Sequence, residues 1–210
     1  RTSPETYAPT GENSIYRCPA SYVVDTVTEA MEERESAAAL AVAMTDTLAR
    51  LQNSQGFWET GPESLWLREA YGAGPGFYDT RFNTELADIF VTVYESQGGT
   101  FLRAALERYA AFYGGFAQDH HQETESGGWL VEDYWSPDTH TAIHTSLNHQ
   151  LAECLVLYRM ADALEREDLA QLADRLLLAV EDTGMRWVND AGDLHYSRSA
   201  EGIYDGITRF

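Results

Sequence analysis

The chain has 210 residues, 44% apolar and 12% aromatic, with 34 acidic against 14 basic residues and a formal charge of −20. That length and apolar content suit one large domain with a sizeable core and exclude a disordered chain. The acidic balance excludes nucleic acid and anionic lipid as partners, and no run of roughly 18 apolar residues offers a membrane span. Residues 1–21, rich in Pro, Thr and Ser, are expected to form an N-terminal arm, and 22–210 the domain. A first helix fits Tyr22 to Glu33 with Val24, Val27 and Met31 inward, and a second fits Ser36 to Gln52 with Leu40, Met44, Leu48 and Leu51 inward. Six Gly or Pro residues from Gly61 to Thr80 forbid a continuous helix there.

A third helix is predicted over Asn83 to Gln97, stopped by Gly98-Gly99, and a fourth over Phe101 to Phe116, capped by Thr100. A polar break from Gln118 to Ser126 follows. The stretch from Gly127 to Leu164 organises the rest. An aromatic and acidic segment, Trp129 to Trp135, turns at Ser136-Pro137-Asp138 into a long fifth helix. Ile143, Leu147, Leu151, Cys154, Tyr158 and Ala161 make one buried stripe, and Ala152, Val156, Met160 and Ala163 a second. The first half of that helix is polar, from Thr139 to Gln150, as the mouth of a pocket would be. A sixth helix fits Asp168 to Trp187, followed by a tight turn at Asn189 to Gly192 and a short extended piece at Leu194.

Helix, turn, helix, polar loop and a Gly-aromatic or Gly-hydrophobic piece recur about every 65–70 residues, marked by Gly56-Phe57-Trp58, Gly128-Trp129-Leu130 and Gly192-Asp193-Leu194. Such a unit predicts an all-α array of antiparallel helical hairpins, with the fifth helix inner and the sixth outer, and loops lining a cavity at one end. All 14 basic residues are Arg, which fits either a salt-adapted surface or a GC-rich coding sequence. Cys18 and Cys154 make neither a disulfide framework nor a metal motif.

Glu132-Asp133-Tyr134-Trp135-Ser136-Pro137, the run from Asn148 to Leu157-Tyr158, and Gly192-Asp193-Leu194-His195-Tyr196-Ser197-Arg198 together carry a resemblance. From Trp129 to Arg198 the chain resembles the C-terminal domain of the D-glucuronyl C5-epimerases. The resemblance implies a partial (α/α) toroid with short β pieces in its loops, and a protein that acts on a uronate-containing oligo- or polysaccharide. It departs from the family's pattern in three ways. There is one extra residue before Pro137, Asp133 stands where the family has Glu, and His195 falls where the family has a catalytic Tyr, with Tyr196 one step on. The family's N-terminal β-rich domain has no counterpart here, and a further catalytic Tyr of the family would fall beyond Phe210.

C5 epimerisation removes a proton alpha to a carboxylate and returns one to the opposite face, which needs two acid–base groups and a charge anchor. Tyr134 with His195 or Tyr196 supplies the opposed pair, and Asp133 tunes or relays the proton. Arg198 grips the carboxylate, while His144 and Asn148, one turn apart on the fifth helix, donate to hydroxyls. Trp58, Trp66, Tyr71, Tyr78 and Trp129, placed in loops, suit sugar stacking. A hydrolase would instead pair two of Glu132, Asp133, Asp138 and Asp79. His120-His121-x-Glu123 and the His140/His144 pair lack a full ligand set, so neither metal nor cofactor is expected. The rival class is a non-catalytic helical-repeat module that binds protein or glycan.

Overall fold

The computed structural model describes residues 21–61 and 64–207; the N-terminal arm and Cys18 lie outside them. Among the described residues seven helices follow in order: α1 (Ser21–Thr28), α2 (Glu35–Leu51), α3 (Leu65–Tyr71), α4 (Thr80–Gln97), α5 (Thr100–Asp119), α6 (Leu147–Leu164) and α7 (Glu167–Thr183), the last running into a 3-10 turn, Gly184–Trp187. Side-chain contacts give their directions. Ser21 at the start of α1 bonds Glu85 near the start of α4, 3.0 Å. Thr84 of α4 bonds Glu153 of α6, and further along Arg159 of α6 pairs with Asp88 and Glu95 of α4. The three helices α1, α4 and α6 therefore run parallel. Gln150 of α6 bonds the Leu176 carbonyl, and Cys154 the Ala173 carbonyl, so α7 returns antiparallel. The pairs α1/α2, α4/α5 and α6/α7 are the hairpins of a partial (α/α) toroid.

Short strands sit in the long loops. β1 (Tyr78–Asp79) pairs with β4 (Tyr134–Trp135), and β2 (His121–Glu123) pairs with β3 (Trp129–Val131). β5 (Thr145–Ser146), β6 (Ser197–Arg198) and β7 (Tyr204–Asp205) form a three-stranded ribbon with Thr145 opposite Arg198 and Ser146 opposite Ser197. Gly56 and Gly128 explain how the loops close onto the helices. A Cβ on Gly56 would stand 2.5 Å from the Arg108 carbonyl oxygen of α5, and one on Gly128 2.3 Å from the Ala179 nitrogen of α7. Both residues lead into aromatic segments, and in both cases the close neighbour is helix backbone that cannot step aside. Gly192, the third marker of the repeat, meets nothing within 4 Å.

Three expectations need correction. The fifth helix starts at Leu147, seven residues later than a Thr139 cap would place it. Side chains take the backbone donors that a helix would use. Thr139 accepts from the Ser136 N–H, Glu132 from the Ile143 N–H, and Asp133 from the Ser146 N–H. His144 accordingly precedes α6 instead of lying on it beside Asn148. The buried face of α6 keeps Leu147, Cys154 and Ala161 of one expected stripe and Val156 and Met160 of the other, and adds His149, Gln150, Glu153, Leu157 and Leu164, while Leu151 faces out, as do Leu40 and Leu51 of α2. Finally, Trp66 and Tyr71 sit on α3, unforeseen between Gly- and Pro-rich segments, and Trp58 and Tyr78 are wholly buried core residues. The Trp58 indole N–H is held by the Leu48 carbonyl at 2.8 Å. Among the described residues no helix is long and apolar enough to cross a membrane.

Candidate active site

The parallel helices bring the N-termini of α4 and α6 to one rim, and buried carboxyls sit at both. Asp79 is the N-cap of α4 and accepts from the Phe82 N–H at 3.1 Å. Asp133, in the turn between β3 and β4, sits at the N-terminus of α6, where it accepts from the Ser146 N–H at 2.8 Å and from the Ser146 hydroxyl. The Asp79–Thr80 and Asp133–Tyr134 segments are joined by the β1–β4 ladder and by a Thr80 N–H to Asp133 carbonyl bond of 2.9 Å.

The two carboxyls titrate in opposite directions. Burial and the neighbouring negative charge of Asp133 outweigh the Phe82 N–H and push Asp79 up to about 7. For Asp133, burial acts against the charge, but His149, His144 and Ser146 together hold it below the usual carboxylate range. His144 Nε2 stands 3.2 Å and His149 Nδ1 3.5 Å from Asp133 Oδ2. Burial lowers the His149 imidazole, against the pull of Asp133.

His144 extends this cluster outward. Its Nδ1 lies 2.8 Å from the Tyr71 hydroxyl. Nε2 faces the ionised Asp133 without meeting hydrogen-bond geometry, and the tautomer with its proton on Nε2 is the one that leaves Nδ1 to accept from the Tyr71 hydroxyl. The result is a line Tyr71–His144–Asp133 running from half-exposed to fully buried. Rings enclose His144: Trp66 at 5.9 Å, Tyr71 at 5.8 Å, Tyr134 at 5.8 Å and Tyr196 at 6.5 Å between centroids. Trp66 is 47% exposed, while Tyr134 and His144 are buried, so the cluster has a wet aromatic rim and a dry polar floor. Burial, then the charges of Asp133 and Glu201, raises the Tyr71 phenol. Burial likewise raises the Tyr196 phenol, with Ser146 and Tyr134 acting against it.

No family model matches the sequence, and no curated protein does. Solved structures do match the fold. Cellobiose 2-epimerase from Bacillus thermoamylovorans is 14% identical with a TM-score of 0.64, covering 88% of this chain and 48% of that one. D-mannose isomerase is 14% identical with a TM-score of 0.65, covering 97% and 52%. The unsaturated glucuronyl hydrolase of Bacillus sp. GL1, responsible for the degradation of glycosaminoglycan, is 16% identical with a TM-score of 0.61, covering 90% and 52%. The fold is that of the (α/α) toroids. This chain spans about half the length of the structures it matches.

Within the toroid, the residues expected from the sequence separate into two groups. Asp133, Tyr134, His144 and Tyr196 come together as described. His195 and Arg198 belong to a neighbouring group on the other side of the β5–β6 ribbon. Arg198 bonds Gln122 and lies with its guanidinium carbon 5.8 Å from the Tyr204 ring centre; His195 lies 5.9 Å from the same ring. Arg198, on β6, and His144, the residue before β5, are thus at the same end of the array, with side chains directed to different partners. Asn148 is half-buried in the first turn of α6, and its side-chain oxygen has no partner among the described residues. Trp129 stacks on His121 at 4.2 Å and carries the Arg175 guanidinium 4.6 Å from its ring centre. His120 stacks on Phe116 and lies 3.3 Å from Glu132. Among the described residues no three His, Cys, Asp or Glu side chains are disposed to hold a metal ion.

Sequence reasoning missed His149 and Ser146, and it cast Tyr71 and Trp66 only as stacking surfaces. A signal for the first pair exists: His144 and His149 bracket the N-cap of an inner helix, where a carboxylate is favoured by the helix dipole. Nothing in the local sequence ties Tyr71 to His144, 73 residues away.

Proposed function

We propose that the protein is a carbohydrate-processing enzyme whose chemistry is proton transfer at a sugar carbon, carried by the line Tyr71–His144–Asp133. The observation behind this reading is the 2.8 Å contact between the Tyr71 hydroxyl and His144 Nδ1, backed by the buried Asp133. His144 takes the phenolic proton as the Tyr71 oxygen takes the carbon-bound one, so that no free phenolate forms against the raised phenol, and Asp133 stabilises the imidazolium. Tyr196, on another side of His144, is the group placed to return a proton to the opposite face. Trp66 supplies a stacking surface at the rim. Solved relatives of this fold include an epimerase and an isomerase, which supports the reaction class.

The narrower reading is a uronate C5-epimerase. Arg198 supports it: in a chain of charge −20 its Nε has no partner among the described residues, and its nearest bonded neighbour is the neutral Gln122. A guanidinium left without a carboxylate, at the same end of the array as the acid–base line, suits the carboxylate of a uronate. Proton abstraction alpha to that group leaves an enediolate, and reprotonation from the other face inverts C5.

A second reading rests on the split between Asp79 at about 7 and the depressed Asp133. A protonated acid beside an ionised base is the pairing that glycoside hydrolysis uses. Incubating the protein with uronate-containing oligosaccharides in D2O separates the readings. The expected result is deuterium at C5 by NMR, lost in both Tyr71→Phe and His144→Ala. Release of reducing ends that depends on Asp79, without exchange at C5, overturns proton transfer in favour of hydrolysis. Neither exchange nor cleavage, with saturable oligosaccharide binding, returns the protein to the class of binding modules.

A further inference from the structure

One turn deeper than His149 on α6, Glu153 is wholly buried and takes no part in the line just described. Its Oε2 meets two hydroxyls, Tyr109 at 2.9 Å and Thr84, while Oε1 has no partner among the described residues. Thr84 decides the protonation. Its Oγ1 also lies 2.7 Å from the Thr80 carbonyl oxygen, the usual back-bond of a helical threonine. A hydroxyl has one proton, and a carbonyl oxygen has none to give. If Thr84 donates to Thr80, the proton in the Thr84–Glu153 contact belongs to the glutamate.

We infer that Glu153 is a neutral carboxylic acid that donates to Thr84 of α4 and accepts from Tyr109 of α5, clamping the parallel helices α4 and α6 in register beneath the rim. That register sets the distance between the Asp79 and Asp133 ends of the two helices. The surroundings agree. The titratable groups facing Glu153 are Tyr78 of β1, Tyr109 and Tyr113 of α5, and Cys154 beside it on α6. His149 is committed to Asp133, and Asp174 of α7 faces Tyr158 and Cys154. None of these offers Glu153 a positive charge, and burial pushes its carboxyl up to about 7, against the Thr84 and Tyr109 bonds. The folded-state value is raised above the ordinary 4.5. Stability from this group is therefore greatest below pH 4.5, declines as the pH rises towards 7, and is level above it.

The inference concerns the fold beneath the site and is tested without substrate. The infrared difference spectrum of wild type minus Glu153→Gln should contain the carbonyl stretch of a protonated carboxylic acid at pH 5.5, and lose it by pH 9. The amide introduced by Glu153→Gln keeps a donor and an acceptor at every pH, so the variant's Tm should fall between pH 5.5 and 9 by on the order of 5 °C less than that of wild type, the share of Asp79 remaining in both. Absence of the carboxylic-acid band at pH 5.5 overturns the clamp, as does an identical pH dependence of Tm in the two proteins. If Glu153→Gln does not fold, the same band is sought in Asp79→Asn, where Asp79 no longer contributes to it, and its absence there at pH 5.5 is equally decisive.

Discussion

Asp133 and Glu153 are buried to the same degree, one at the N-terminus of α6 and one two turns along it, yet they are held in opposite states. Asp133 has a helix N–H, a hydroxyl and two imidazoles around it. Glu153 has two hydroxyls, one of them already committed to a backbone carbonyl. Burial penalises both charges equally; the partners decide which charge survives. The comparison teaches that the α6 end of the rim is built to keep a negative charge and the interior beneath it to exclude one.

The sharpest way to break this contrast is to empty the rim. Asp133→Ala leaves the Ser146 N–H and hydroxyl and two imidazoles facing an apolar hole, and should cost about 3–5 kcal/mol in urea unfolding. Asp133→Asn, which keeps one acceptor oxygen, should cost less. A loss below about 1 kcal/mol for the alanine variant would mean that water replaces the carboxylate, and the floor of the site is not dry.

A smaller effect sharpens the comparison within the rim itself. Asp79 is raised from 3.8 to about 7, so its folded state binds a proton that the unfolded chain releases between those values. Its contribution is therefore greatest at low pH and is lost as the pH climbs to 7. Asp79→Asn retains an N-capping oxygen for Phe82 and removes the titration. It should be more stable than wild type at pH 8, on the order of 2 kcal/mol, and equal to it at pH 4. Thermal melts across that range read the difference, and a variant less stable than wild type at pH 8 would show that Asp79 is ionised and favourably paired.

The smallest effect belongs to the wet side. Trp66 packs edge-on against Tyr71 and Tyr134 and is half open to water. Trp66→Ala should leave unfolding stability within about 0.5 kcal/mol while weakening oligosaccharide binding roughly tenfold, the equivalent of about 1.4 kcal/mol. Calorimetric titration alongside a melt separates the two, and a large loss of stability would reassign Trp66 to packing.

Much of the helical array was legible because its signals are local. The periods of α4 and α5 and the Gly98-Gly99 stop depend on residues within a turn or two. The start of α6 was not legible, because Ile143 continues the apolar stripe in register although its N–H is bonded to Glu132. The same stripe placed Leu151 inside. For the site, Asp133 and Tyr134 stood out because acidic and aromatic residues are packed together in Trp129 to Trp135. Tyr71 did not: a short helix between glycines carries little periodic signal, and its partner His144 comes from the far side of two hairpins. Arg198 was placed at the correct end but assigned to the wrong neighbours. Strand pairing with Thr145 fixes its position, and contacts with Gln122 and Tyr204, remote in sequence, fix where it points.

Gly56 and Gly128 carry a consequence for how such a chain changes over generations. Each loop is pinned where it leaves for the rim, at a point where one added methyl would strike the backbone of an outer helix. Between those pins and the next inner helix, the exposed positions of the loops that bear Trp66, Tyr71, Asp133 and His144 are the ones free to exchange residues. Selection for a new sugar would therefore write itself into the loops, while the two glycines would register only as survival or loss of the protein. A library that varies the exposed positions Trp66, Arg68, Glu69, Asp138, His140 and Thr141 while holding Gly56, Gly128 and the Tyr71–His144–Asp133 line would sample new specificities on an unchanged frame, and one that alters the glycines would mostly sample insoluble protein.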